Sequence, residues 1–167
     1  VLIEAFKKLY SQNKNYQLIL AGAVKGEGGE EYLDSLKQSV GKLPIKFVVT
    51  PDFDKLKQLY TKAKIFWHAA GYGIDERQEP EKVEHFGITT VEAMAAGAVP
   101  VVIDKGGQRE IITGETGYLC QSTDEIVAST LSLLNSPEKL KSMSENAIKR
   151  SRDFNIERFI KEVNAVV

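Results

Sequence analysis

Apolar positions along the chain alternate between two rhythms. The opening "VLIEAFKKLY" sets Leu2, Phe6 and Leu9 at helical spacing, and "YQLILAG" (16–22) is a short apolar run that stops at a glycine. "EEYLDSLKQSV" (30–40) then places Leu33, Leu36 and Val40 on one helical face. The alternation continues: "IKFVV" (45–49) precedes a helix expected from about Phe53 to Ala63, and "KIFWHA" (64–69) precedes one near Thr89 to Ala96. "AVPVVI" (98–103) and "GYLCQ" (117–121) follow as further strands. From Thr123 onward the pattern is helical, with Ser/Thr/Asp starts and Ser136 ahead of Pro137 at a first helical position. Short apolar strands separated by helices need crossover connections, so the fold class is α/β with a doubly wound parallel sheet.

The chain's 167 residues suit one domain, 1–167, with a sizeable core. Charged residues are 27% of the total and the net charge is -1, which leaves no basic excess for nucleic acid or an anionic membrane. One cysteine, Cys120, excludes an internal disulfide, and two histidines give no Cys/His cluster of zinc spacing. No metal is expected. The longest apolar run, "AMAAGAVPVVI", is broken by Gly97 and Pro100 and is too short to span a bilayer. A soluble, cytoplasmic protein is expected. The first residues start inside a helix, with neither an initiating Met nor a cap, as a piece of a longer protein would.

Chemistry concentrates in "EHFGITTVEAMAAGAVPVV" (84–102). Thr89-Thr90-Val91-Glu92 matches S/T-x-x-E ahead of an apolar run, so one reading is a capping box, with Thr89 as N-cap and Glu92 folded back on the helix. The other starts from the unpaired amides and the positive dipole end of the same helix, which attract a phosphate. Gly87 would let a ligand approach the backbone, and Phe86 would be a wall or packing anchor. Glu84 and Glu92 would accept hydrogen bonds from hydroxyl groups on either side. Phosphate flanked by hydroxyls describes a nucleotide sugar.

Other segments contribute less. In "DKGGQREIITGETG" (104–117), Gly106 and Gly107 present backbone amides to the same ligand or form a tight turn, with Glu110 starting a short helix. "AGAVKGEGGEE" (21–31) lacks the G-x-G-x-x-G spacing, which disfavours a nicotinamide dehydrogenase. The polar loop "GYGIDERQEPEKV" (71–83) follows a parallel strand at the edge where such sheets bind ligands.

With these residues in view, the chain resembles the retaining glycosyltransferases of family 4, in the C-terminal, donor-binding half of their GT-B fold. "LIEAF", "LILAG", "LKQLYTKAKIF", "EHFGITTVEAMAAGAVPVV", "GGQREII", "TGYL" and "NAIKRSRDF" stand in the family's order, with Glu84 and Glu92 as its E-x7-E motif. The resemblance implies a Rossmann-like domain truncated at its N-terminal strand, a missing N-terminal domain as partner, and a nucleoside diphosphate sugar as donor. It implies hexose transfer with retention, through same-face attack assisted by the leaving phosphate, with neither cofactor nor metal. Glu84 would be the residue of the catalytic centre that orients the sugar; Phe86, Gly87, Ile88 and Thr89 would bind sugar and diphosphate through their backbone, and Glu92 would take the ribose. The acceptor would be a glycan, a lipid-linked or a small molecule, reached from the cytoplasm or the cytoplasmic face of a membrane.

Two departures qualify the transfer of roles. The family's phosphate-neutralising Arg and Lys precede "LIEAF", and Lys105 and Arg109 do not match them. The chain alone is therefore expected to bind donor weakly and to transfer nothing. Pro51, in a loop that commonly contacts the base, has no amide to donate, which shifts base recognition to Thr50 or to carbonyls. Another GT-B enzyme, such as an epimerase or a glucan synthase, and a non-catalytic sugar-nucleotide-binding scaffold are the alternatives.

Overall fold

The computed structural model describes residues 1–166. Its strands are β1 (Leu18–Gly22), β2 (Ile45–Val49), β3 (Ile65–His68), β4 (Val99–Ile103) and β5 (Tyr118–Cys120), paired in parallel throughout. The pairing forms two hydrogen-bonded groups, β1 beside β2, and β3-β4-β5 with β4 in the middle. The helices are α1 (Leu2–Gln12), α2 (Gly29–Val40), α3 (Phe53–Lys62), α4 (Ile88–Ala95), α5 (Gln108–Ile111), α6 (Thr123–Leu134), α7 (Pro137–Ser151) and α8 (Ile156–Val166).

β4 carries the core because both its faces are covered. Val99, Val101 and Ile103 pack with Phe6 and Leu9 of α1 and Ile126 and Leu133 of α6. Val102, one residue out of phase, packs with Met94 of α4, Ile111 of α5 and Ala147 of α7. Period-two alternation thus sends successive valines to opposite layers of helices, the doubly wound arrangement. Each buried Val contributes about 1.5–3 kcal/mol from removal of apolar area. In β3 the same alternation turns Trp67 toward α6, where its Nε1 donates to Thr130 Oγ1 at 2.9 Å, and leaves Phe66 against the Val102 cluster.

Local chemistry fixes the helix starts. Asp52 caps α3 by accepting from the Lys55 amide at 2.7 Å, and Ser122 caps α6 by accepting from the Glu125 amide at 3.2 Å. α8 is different: Ile156, Phe159, Ile160 and Val163, at helical spacing, lie open to solvent. Among the described residues no helix is long and apolar enough to cross a membrane.

Candidate functional site

α4 begins two residues earlier than a Thr89 cap would require. Gly87 is the N-cap, at φ 100°, with no side-chain cap bond. Only glycine takes that conformation readily. A Cβ there would also stand 2.9 Å from Ile111 Cδ1 and 3.0 Å from Gln108 Nε2. The amides of Thr90 and Val91 return to the Gly87 carbonyl at 2.9 and 3.1 Å. Those of Ile88 and Thr89 donate to no group among the described residues, and both residues are exposed. Two free amides therefore point out of the helix end, where the macrodipole is positive.

The two glutamates are each held by one oxygen. Glu84 Oε2 lies 3.3 Å from His68 Nε2, at the C-terminal end of β3. Burial pushes the His68 pKa down, the nearby Glu84 charge opposing only in part, so the ring is neutral around pH 7. Glu92 Oε2 accepts from the Tyr60 hydroxyl of α3 at 3.2 Å. Burial first, then the Glu92 charge, raises the Tyr60 pKa, so that hydroxyl stays protonated and donates. The capping-box expectation is thus corrected: Glu92 reaches a neighbouring helix instead of its own first turn. Each carboxylate has a second oxygen for another donor.

Gly106 and Gly107 do not offer amides to a ligand. The Gly106 amide donates to Glu76 Oε2 at 3.1 Å and the Gly107 amide to the Glu84 carbonyl at 2.8 Å. Their lack of side chains has another use, since a Cβ on Gly107 would stand 2.8 Å from the Phe86 carbonyl and closer still to that of His85. The glycine turn is the bed on which the backbone of Glu84–Phe86 lies. The short helix after it starts at Gln108, two residues before Glu110.

The loop 71–83 closes on itself and on this turn. A Cβ on buried Gly71 would be 2.9 Å from Val83 Cγ1 and 3.1 Å from Lys105 Cβ. The neck of the loop is packed, as in a compact Ω-loop. Its middle is pinned by Glu76, which takes the Gly106 amide and Arg109 Nη1, the latter at 2.8 Å. Arg109 Nε is also bound to Asp104 Oδ1 at 2.6 Å. Arg109 is thereby committed to two carboxylates, in keeping with its mismatch to a phosphate-neutralising position.

Phe86 serves as the packing anchor. Its ring meets Phe154 edge-on at 5.8 Å, and Arg150 lies over Phe154 at 4.8 Å. Arg150 also donates to the carbonyls of Ile111 and Glu110 at 3.2 and 2.6 Å. "NAIKRSRDF" thus ties the end of α7 to the site.

Thr50 follows β2, at φ 46°, the left-handed region that a β-branched residue rarely occupies. Its amide donates to the Gly22 carbonyl at 2.8 Å, so hydroxyl and carbonyl are what it has left for a base. The strain costs about 1–3 kcal/mol, of which glycine returns the larger part after its own entropy loss of about 0.5–1 kcal/mol. Thr50→Gly is therefore expected to raise Tm by roughly 2–4 °C in thermal unfolding. An unchanged or lower Tm would show that the Thr50 backbone carries no strain.

His68, Tyr60 and Glu76 stand in no motif of the sequence. A lone His at a strand end has one usable signal, its period-two phase with Phe66, which places it on the α4 layer.

The model of the family described as glycosyl transferases group 1 matches residues 1–150. Among curated proteins, GDP-Man:Man(3)GlcNAc(2)-PP-Dol alpha-1,2-mannosyltransferase of Xenopus laevis is 31% identical over 149 residues, which cover 84% of this chain and 28% of that protein. Alpha-1,3/1,6-mannosyltransferase ALG2 of Dictyostelium discoideum is 37% identical over 87 residues, 50% of this chain and 21% of that one. The chain therefore spans less than a third of these relatives. Among solved structures, the sucrose-phosphate synthase of Thermosynechococcus elongatus superposes with TM-score 0.75 and 25% identity, over 98% of this chain and 41% of that one. Anabaena Alr3699/HepE in complex with UDP and glucose superposes with TM-score 0.77 and 20% identity, over 99% and 44%. The latter likeness speaks to fold alone.

Proposed function

This chain belongs to the group 1 glycosyl transferases, and on that premise we propose that it is the donor-binding half of an enzyme that moves a hexose from a nucleoside diphosphate sugar to an acceptor. Transfer proceeds with retention and without a metal. The observation that carries this reading is the pair of free amides at Ile88 and Thr89, in a segment bounded along the chain by two carboxylates that each keep an oxygen available. Amides at a helix N-terminus bind the diphosphate. Glu84 takes sugar hydroxyls and Glu92 takes the ribose, both as acceptors, which suits carboxylates held by neutral donors. Glu84 orients the donor and is neither acid nor nucleophile. Thr50 offers its hydroxyl and carbonyl to the base. The glycine turn supports the loop without touching the ligand.

Arg109 is already paired, so the diphosphate relies on amides and dipole, and this chain by itself binds donor weakly. A charge-assisted contact is worth about 1.5–3 kcal/mol, which Arg109, engaged with Glu76 and Asp104, does not supply. The test is thermal unfolding with a panel of nucleotide sugars, GDP-mannose first because two relatives are named mannosyltransferases. A donor at about ten times its Kd adds roughly 1.4 kcal/mol, a rise of about 3–6 °C. If no nucleotide sugar shifts the transition at millimolar concentration, the donor-site reading fails.

A further inference from the structure

Glu84 can orient a sugar only if something orients Glu84, which lies in a loop with 28% of its side-chain surface exposed. The structure supplies that support from the buried side. His68 Nε2 stands 3.3 Å from Glu84 Oε2, and on the far side of the ring Gln108 Nε2 stands 3.5 Å from Nδ1. Gln108 is fully buried, and its amide also lies against Gly87. The imidazole stacks at 22° on Phe66, whose ring meets Tyr60 edge-on, and Tyr60 in turn holds Glu92. One aromatic row on the inner face of the site thus steadies both carboxylates.

Proton placement follows from both ends of the imidazole. A carboxylate oxygen at Nε2 needs a hydrogen there, because a bare lone pair facing it is repulsive. An amide NH2 at Nδ1 needs a lone pair there. The Nε2–H tautomer satisfies both. The opposite tautomer would set two acceptors against each other at the Glu84 side.

We propose that His68 is a positioning residue. Backed by Gln108 and protonated on Nε2, it holds one oxygen of Glu84, turns the other toward the sugar, and so sets discrimination among donor hydroxyl groups. This rests on the donor-site reading above. His68 touches neither the sugar nor the diphosphate.

The test compares wild type, His68→Leu and His68→Gln in calorimetric titrations with three probes: a nucleoside diphosphate hexose that binds, its monodeoxy analogues, and the nucleoside diphosphate alone. Gln keeps an NH donor near the Nε2 position and Leu does not. In wild type, at least one deoxy analogue binds about tenfold more weakly than the parent. His68→Leu loses that preference to within about threefold, His68→Gln retains it, and the nucleoside diphosphate binds all three proteins within about twofold, where tenfold corresponds to about 1.4 kcal/mol. Full discrimination in His68→Leu overturns the proposal. So does an equal loss of nucleoside diphosphate affinity, which marks a merely structural role. A second measurement needs no ligand: the imidazole 15N spectrum of the wild-type chain shows His68 protonated on Nε2, and an Nδ1–H tautomer overturns the assignment. Absence of all nucleotide-sugar binding alongside an Nε2–H ring removes the donor-site reading and, with it, the discrimination role.

Discussion

Glu84→Ala lowers kcat/KM for sugar transfer, in the enzyme that contains this chain, by about 100-fold or more, with Tm held within about 2 °C. Loss of hydrogen bonds to a charged acceptor accounts for about 1.5–3 kcal/mol each, and a donor released from its reactive pose costs on the order of another factor of 100. The fold tolerates the change because Glu84 is a partly exposed loop residue outside both hydrophobic clusters. Steady-state kinetics with donor varied, beside a melting curve, measures both halves. Undiminished transfer would favour a scaffold in which the glutamate has no work.

Gly107→Ala acts by geometry alone. Its φ is -63°, which alanine adopts without strain, but the added methyl meets the carbonyls of His85 and Phe86. Backbone cannot move aside as a side-chain end can. The loop carrying Glu84 must lift, weakening the bond from the Gly107 amide to the Glu84 carbonyl. Overpacking of this kind costs about 2–3 kcal/mol, a fall in Tm of roughly 5–10 °C, with donor binding lost below the melting point too. Gly114→Ala is the control, since a Cβ there meets nothing within 4 Å. Equal behaviour of the two variants would mean that the glycine turn does not support the site.

The sequence made the elements legible because apolar rhythm is a local property. β2 was read at its observed bounds, Ile45–Val49, and α3 to within one residue. What rhythm could not supply was lateral order. Parallel strands were expected in one doubly wound sheet, and they pair as β1-β2 and β3-β4-β5, because neighbour order is decided by crossovers and not by any strand's own pattern. The start of α4 is a related case. S/T-x-x-E is a local signal, and it was overridden by Gly87 in a left-handed conformation and by a hydrogen bond from Tyr60, 32 residues upstream of Glu92.

The site was half legible. Glu84 and Glu92 are legible from their spacing and context, one just ahead of α4 and one within it. Their supports are not, because His68, Tyr60 and Gln108 lie on three different elements and carry no shared spacing. Glu76 lies in a loop without periodicity, yet it takes the Gly106 amide, for which the sequence alone leaves a ligand or a tight turn open. Long-range hydrogen bonds of this kind are set only when the layers pack.

The most direct test of the central claim is the 1H–15N amide spectrum of this chain titrated with a nucleotide sugar, a method that reports weak binding residue by residue. The account predicts that the amides of Ile88 and Thr89, free in the structure, shift most and saturate together. Those of Gly106 and Gly107, already bonded to Glu76 and to the Glu84 carbonyl, move little. Saturating shifts at Gly106 and Gly107 with Ile88 and Thr89 unmoved, or shifts confined to another face of the domain, would contradict it.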